Sequence, residues 1–141
     1  MNILWRSVAG LALLGSSTFA FADFPDRPIT LVVPFVAGGP SDKIARDVAE
    51  ALRKPLGQTV VVENAGGAGG TIGSAKVARA TPDGYTLLVH HIGMATAPAL
   101  YRKLSYKVPE DFETLGVINE APSVLIGKPG LAANNFAELR Q

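Results

Sequence analysis

Residues 29–42 read ITLVVPFVAGGPSD, and this stretch decides the fold. Ile29, Thr30, Leu31, Val32 and Val33 form a nearly continuous apolar run, the pattern of a strand covered on both faces, as in parallel sheets. Pro34 ends the run, and Phe35, Val36, Ala37, Gly38 and Gly39 lead into a helix start at Pro40, Ser41 and Asp42. A helix beginning there turns unpaired backbone N–H groups and the positive end of its dipole toward the space beyond the strand's carboxyl end. Ligands of open α/β sheets sit at that edge, so the stretch reads as a small anion-binding turn.

Working outward, Ile44, Ala45, Val48, Ala49 and Leu52 make one helical stripe between Ser41 and Leu52, with Lys43, Arg46, Asp47, Glu50 and Arg53 on the other face. Pro55 and Gly57 are expected to stop this helix. Thr59, Val60, Val61 and Val62 form a second β-branched run, ended by Glu63 and Asn64. A loop of Ala and Gly from Ala65 to Gly70 follows, then a helix from about Thr71 to Ala80, a turn at Pro82, Asp83 and Gly84, and a third strand from Tyr85 to Val89. Three strands alternating with two helices across short loops predict an α/β fold with a right-handed parallel sheet.

Downstream the pattern is less regular. Met94, Ala95 and Ala97 suit a short helix, with Pro98 limiting where it begins. Leu104 to Glu113 reads as a surface loop, Leu115 to Ile118 and Ser123 to Ile126 as two more strands, and Asn134, Asn135 and Phe136 as the start of a helix.

The first twenty-two residues have the layout of a secretory signal: Arg6 near the N-terminus, an apolar segment from Val8 to Leu14, and Ala20, Phe21, Ala22 as an A-x-A site that predicts cleavage before Asp23. The apolar segment is too short to span a bilayer. The chain has no Cys, so neither disulfides nor a lipid on Cys is expected. Of its 13 Lys and Arg, Arg6 leaves with the signal, and the remaining 12 match 12 Asp and Glu for a formal charge of zero. A concentrated basic face is therefore not expected, which argues against nucleic acid as a partner.

Each chemical motif has a plain structural counterpart. Gly67, Gly69 and Gly73 follow a strand and open a helix, a loose match to a dinucleotide fingerprint, but on the second strand rather than the first. No Lys followed by Ser or Thr comes after these glycines, so a P-loop is excluded. His90 and His91 are adjacent on the third strand and so are expected on opposite faces, one lining a pocket and one facing outward, without a third metal ligand at the right spacing. Ser41 lacks a nucleophile elbow, and Asp42 sits where a carboxylate favours the helix dipole. No catalytic set, metal site or cofactor is expected.

Taken in order, Phe24, Pro25, Asp26, Arg27, Pro28, Pro34, Phe35, Gly38, Gly39, Asp42, Ala45 and Arg46 resemble the opening of the solute-binding proteins of tripartite tricarboxylate transporters, the Bug family. Leu56, Gly57, Val60, Val62, Glu63, Asn64, Gly67 to Gly70, Ile72, Gly73, Pro82 to Leu88, Pro98, Leu100, Tyr101, Leu104, Asp111 and Phe112 continue the match over nearly the whole mature chain. The resemblance implies a periplasmic, two-lobed binding protein of the type II periplasmic-binding-protein kind, closing on a small carboxylate and delivering it to a two-subunit membrane permease. It implies a ligand site at Phe35, Val36, Ala37, Gly38, Gly39 and Ser41, with Asp42 bracing the helix start, at Gly69, and around Gly93 and Thr96. The ligand would be held by backbone amides, hydroxyls and water. Family members are more than twice this long, so residues 23–128 are expected to form the first parallel-sheet lobe. Val124 to Lys128 resembles the first interlobe strand, residues 129–141 would begin a crossover, and the chain reads as cut before the second lobe. A monomer is expected. The alternatives are a non-binding remnant or partner-binding lobe and, third, an exported enzyme.

Overall fold

The computed structural model describes residues 23–122, 124–133 and 135–140. Residues 1–22, where the signal and its cleavage site are expected, lie outside the described residues, as do Ser123, Asn134 and Gln141.

The run that opened the sequence forms β1 (Ile29–Val33), the middle strand of a three-stranded parallel sheet ordered β2-β1-β3, with β2 at Val60–Asn64 and β3 at Thr86–Leu88. Ile29 pairs with Val60 and Val33 with Asn64 on one side, and Thr30 with Thr86 and Val32 with Leu88 on the other. Two neighbours and two covered faces explain why β1 carries no exposed polar alternation: Ile29, Leu31, Val32 and Val33 are all buried.

The helix α1 (Pro40–Leu56) lies against β1 and β2, and α2 (Thr71–Ala78) lies against β1 and β3. Chain order steps from β1 to β2 and then back across β1 to β3. Right-handed crossovers made in opposite directions place their helices on opposite faces of the sheet. The main core joins Ile29, Leu31 and Val33 to Ala45 and Ala49, with Val48, Leu52 and Leu56 packed around them, as the apolar stripe predicted. On the other face Gly73 of α2 meets the end of β1 so closely that a Cβ there would stand 2.7 Å from the Pro34 side chain and 2.8 Å from the Ala65 carbonyl oxygen. Beside it, the buried Ser74 hydroxyl donates to the Gly70 carbonyl at 3.0 Å.

Segment 24–27 is fastened to the amino end of β3. The Phe24 ring meets Tyr85 edge-on at 5.0 Å, Arg27 lies 4.1 Å above the Tyr85 ring, and the Arg27 guanidinium donates to Asp83 at 2.8 Å.

Three expectations are corrected. Pro55 does not stop α1; the helix runs to Leu56 and ends at Gly57, whose φ of 64° is the left-handed conformation that glycine adopts without strain. Pro55 lies in the last turn, where its missing N–H forfeits a single bond, so it is tolerated there. The runs Leu115–Ile118 and Val124–Ile126 are not strands among the described residues, and Val117 and Ile126 are 78% and 84% exposed. Apolar content makes a strand only where a sheet edge receives it, and neither run is paired in the described sheet. The segment at Val124–Lys128, expected as an interlobe strand, likewise forms no strand among the described residues. Two other readings match: α3 spans Gly93–Leu100, and α4 (Phe136–Leu139) begins with the Asn135 side chain accepting from the Glu138 N–H at 3.1 Å. The 104–113 segment is irregular as expected, but Tyr106 turns inward and is buried against the edge of Phe112.

The Gly73 contact gives a direct test. Gly73→Ala forces a shift of backbone or of Pro34 and is expected to lower the urea unfolding free energy by about 1–3 kcal/mol. Gly116→Ala, whose added Cβ meets nothing within 4 Å, is expected to leave it unchanged.

Candidate functional site

Three loops meet at the carboxyl edge of the sheet: 34–39 after β1, 65–70 after β2 and 89–92 after β3. The ladder holds the first residues of two of them. Ala65 N–H donates to the Val33 carbonyl at 2.8 Å and Val89 N–H to the Val32 carbonyl at 2.9 Å. Order 2-1-3 makes the gap between β1 and β3 the switch point at which chain direction across the sheet reverses, the place where such sheets leave a crevice.

The β1 loop is shaped by one carboxylate. Asp42 is only 3% exposed. Its Oδ2 accepts from the Gly38 N–H at 2.8 Å and from Arg46 Nε at 3.0 Å, and its Oδ1 accepts from Asn64 Nδ2 at 2.9 Å. The same Asn64 amide donates to the Phe35 carbonyl at 3.3 Å, and Arg46 Nη2 donates to Asn64 Oδ1 at 3.4 Å. Gly39 is the N-cap of α1 and has no side chain to cap with, so the acid in the third helical position reaches back to the loop instead. Gly38 turns through φ 81°, a position for glycine. The hydrogen bond from Arg46 comes first, and those from Gly38 and Asn64 next, in holding the Asp42 pKa down from 3.8 to about 2. Every bond favours the ionised form, which is the state expected of a structural brace.

The β2 loop approaches with backbone rather than side chains. A Cβ at Gly66 would lie 3.3 Å from the Phe35 carbonyl carbon and the Val36 nitrogen. Gly69, at φ 63°, faces Tyr101 so closely that a Cβ would fall 2.2 Å from its hydroxyl, and at Gly70, φ 95°, it would lie 3.0 Å from His90 Nε2 and 3.3 Å from Phe35 Cζ.

The β3 loop departs from expectation. Because β3 ends at Leu88, strand alternation no longer governs His90 and His91, and both rings gather on Phe35. His91 stacks on it at 4.6 Å with planes 15° apart, while His90 meets it edge-on at 5.3 Å. Burial depresses the His90 pKa, partly countered by its hydrogen bond to the His91 backbone.

The ten residues implied as a ligand site are therefore divided. Phe35 stands at the junction of all three loops, and Val36, 75% exposed, and Ala37 lie on the rim. Gly39 and Ser41 sit at the α1 start, and Gly69 is paired with Tyr101. The Gly38 and Gly93 amides are both engaged internally, the second by His91 Nδ1 at 2.9 Å. The Thr96 hydroxyl, in the first turn of α3, donates to the Gly93 carbonyl at 3.2 Å. Asn64 and Arg46 also shape the β1 loop, a role that no motif in the sequence marks. Their signal was an amide and a guanidinium placed one strand end and one helical turn from Asp42.

Residues 44–141 match the family described as "Tripartite tricarboxylate transporter family receptor". The chain belongs to this family. Among curated relatives, a UPF0065 protein of Agrobacterium vitis is 53% identical over 116 residues, covering 82% of this chain and 34% of the relative. Protein BugT of Bordetella pertussis is 39% identical, over 92% of this chain and 40% of its own length. Among solved structures of periplasmic receptors, BugD superimposes with a TM-score of 0.58 at 60% identity, over 60% of this chain and 28% of BugD. MatC of Rhodopseudomonas palustris with bound malate gives a TM-score of 0.57 at 49% identity, and a second R. palustris protein with adipate gives 0.58 at 40%. Each of these two is matched over 29% of its length and 60% of this chain. The chain thus spans 34% and 40% of the length of these two curated relatives. The receptor family carries the parallel α/β lobe seen here, and its solved members include carboxylate-bound proteins.

The Asp42 brace sets the acid behaviour. A carboxyl whose folded pKa is depressed contributes stability that is present above its unfolded pKa of 3.8 and lost as pH falls through about 2. Circular dichroism between about pH 5 and pH 2 is expected to show wild type losing stability in the lower part of that window. Asp42→Asn should be less stable at neutral pH and flatter across it.

Proposed function

We propose that this chain supplies one wall of the cleft of an extracytoplasmic solute-binding receptor for a small carboxylate, working with a two-subunit membrane permease. The reading is of a receptor and not an enzyme. One observation carries it: the loops at Phe35–Gly39, Gly66–Gly70 and His90–Gly93 converge at the switch point of a lobe shared with malate-bound and adipate-bound relatives. Backbone-lined, glycine-rich loops let a carboxylate approach amides and ordered water without a large side chain between them. Binding by closure needs a wall on each side of the ligand. By itself, the lobe here would offer its donors to open solvent, so it is expected to bind weakly. Export through the signal segment, with cleavage after Ala22, would place it in the periplasm.

The mature chain from Asp23, labelled with nitrogen-15 and titrated with malate and adipate, tests this reading. Amides in segments 36–41, 66–70 and 92–93 are expected to shift together, with a Kd on the order of 1 mM. A micromolar isotherm by calorimetry would show that the second wall is unnecessary. Silence of all three segments at tens of millimolar ligand would leave the non-binding or partner-binding lobe as the better reading. Mass spectrometry of exported protein is expected to find Asp23 at the N-terminus.

A further inference from the structure

The three edge loops are poor in side-chain donors. Segments 34–39, 65–70 and 89–92 read PFVAGG, AGGAGG and VHHI, and the imidazoles of His90 and His91 are their only side-chain hydrogen-bonding groups. Neither Lys nor Arg occurs in them, so any direct side-chain bond from these loops to an anion must come from one of the two rings.

The rings are not equivalent. His90 is half-buried, its Nδ1 lies against the His91 backbone at 2.8 Å from the nitrogen and 2.9 Å from the oxygen, and its Nε2 abuts Gly70. His91 is exposed and laid flat on Phe35. Its Nδ1 accepts the Gly93 N–H at 2.9 Å. A ring nitrogen that accepts an N–H is unprotonated, so neutral His91 carries its proton on Nε2. That N–H has no acceptor among the described residues. The ring is thus fixed in place by stacking, fixed in tautomer by Gly93, and left with one donor available.

We infer that His91 is a ligand-binding residue, donating from Nε2 to a carboxylate oxygen of the small organic acid taken up at the Phe35 edge. This inference rests on the carboxylate reading of the site. Few ionisable groups face the ring. The 65–70 loop and α3 contain no ionisable residue, Tyr101 faces Gly69, and Asp42 is committed to Gly38, Arg46 and Asn64. His90 is the remaining titratable neighbour, with its ring centroid 5.1 Å away.

The test uses the chain labelled at its histidine nitrogens at about pH 8, where an imidazole is neutral, with malate as the probe. The His91 Nε2 resonance is expected to shift with the same midpoint as the loop amides. His91→Phe keeps an aromatic ring over Phe35 and removes the donor, and is expected to weaken malate about tenfold. His91→Gln, which can place an amide N–H near the Nε2 position, should recover most of that loss. Loop amides that shift while His91 Nε2 does not, or a His91→Phe chain that binds malate like wild type, would overturn the inference and leave the carboxylate reading standing. If neither loops nor ring respond to malate or adipate, both fall. Should His91→Phe fail to fold, the wild-type Nε2 titration decides.

Discussion

The arrangement at the sheet edge depends on one buried carboxylate. Asp42 belongs to α1, yet its three partners are a loop amide at Gly38, a side chain one turn further along the helix at Arg46, and the last residue of β2 at Asn64. A charge this enclosed is tolerable only because each accepted bond replaces a water it has lost. The result is that helix, loop and neighbouring strand share one fixed point. Asn64 extends it to the Phe35 carbonyl, and Phe35 in turn provides the surface on which both histidines rest. Loosening Asp42 therefore loosens the aromatic cluster two contacts away.

Much of the lobe was legible because its signals are local and redundant. The run at Ile29–Val33 has too little polar alternation for a half-exposed strand, the run at Thr59–Val62 is β-branched throughout, and the stripe from Ile44 to Leu52 has the helical period. Short loops then leave parallel pairing as the economical topology. The place of Asp42 in the first helical turn was legible as that of a carboxylate favouring the dipole, while its bracing role was implied by the family resemblance and its bonds to Arg46 and Asn64 came only with the fold. What was not legible depended on partners remote in sequence. Leu115–Ile118 and Val124–Ile126 have strand composition but no edge to join in the described sheet. The histidine pair was read by strand alternation that stops two residues too soon. Nor could spacing reveal that the Gly38 and Gly93 amides already have internal acceptors, because both bonds are set by turn geometry.

These internal bonds change how the edge works. The Gly38 and Gly93 amides hold the loops in shape, and the Gly70 N–H is taken up by the Gly67 carbonyl, so the groups still open at this edge include the rim at Val36 and Ala37 and the outer nitrogen of His91. Under the proposed reading, an edge with few fixed donors would hold a carboxylate through a small number of bonds and ordered water. Such an edge suits a receptor family whose solved members hold acids as different as malate and adipate.

The fit of Tyr101 over Gly69 has a thermodynamic side. With the hydroxyl occupying the space a Cβ would need, the loop after β2 and the residue that ends α3 are locked together, as Asp42 locks the loop after β1 to β2. Loops packed in this way are expected to have less backbone freedom for a ligand to remove. The entropy lost on binding would then fall mainly on the ligand and on the approach of whatever faces this lobe, with the lobe serving as a template.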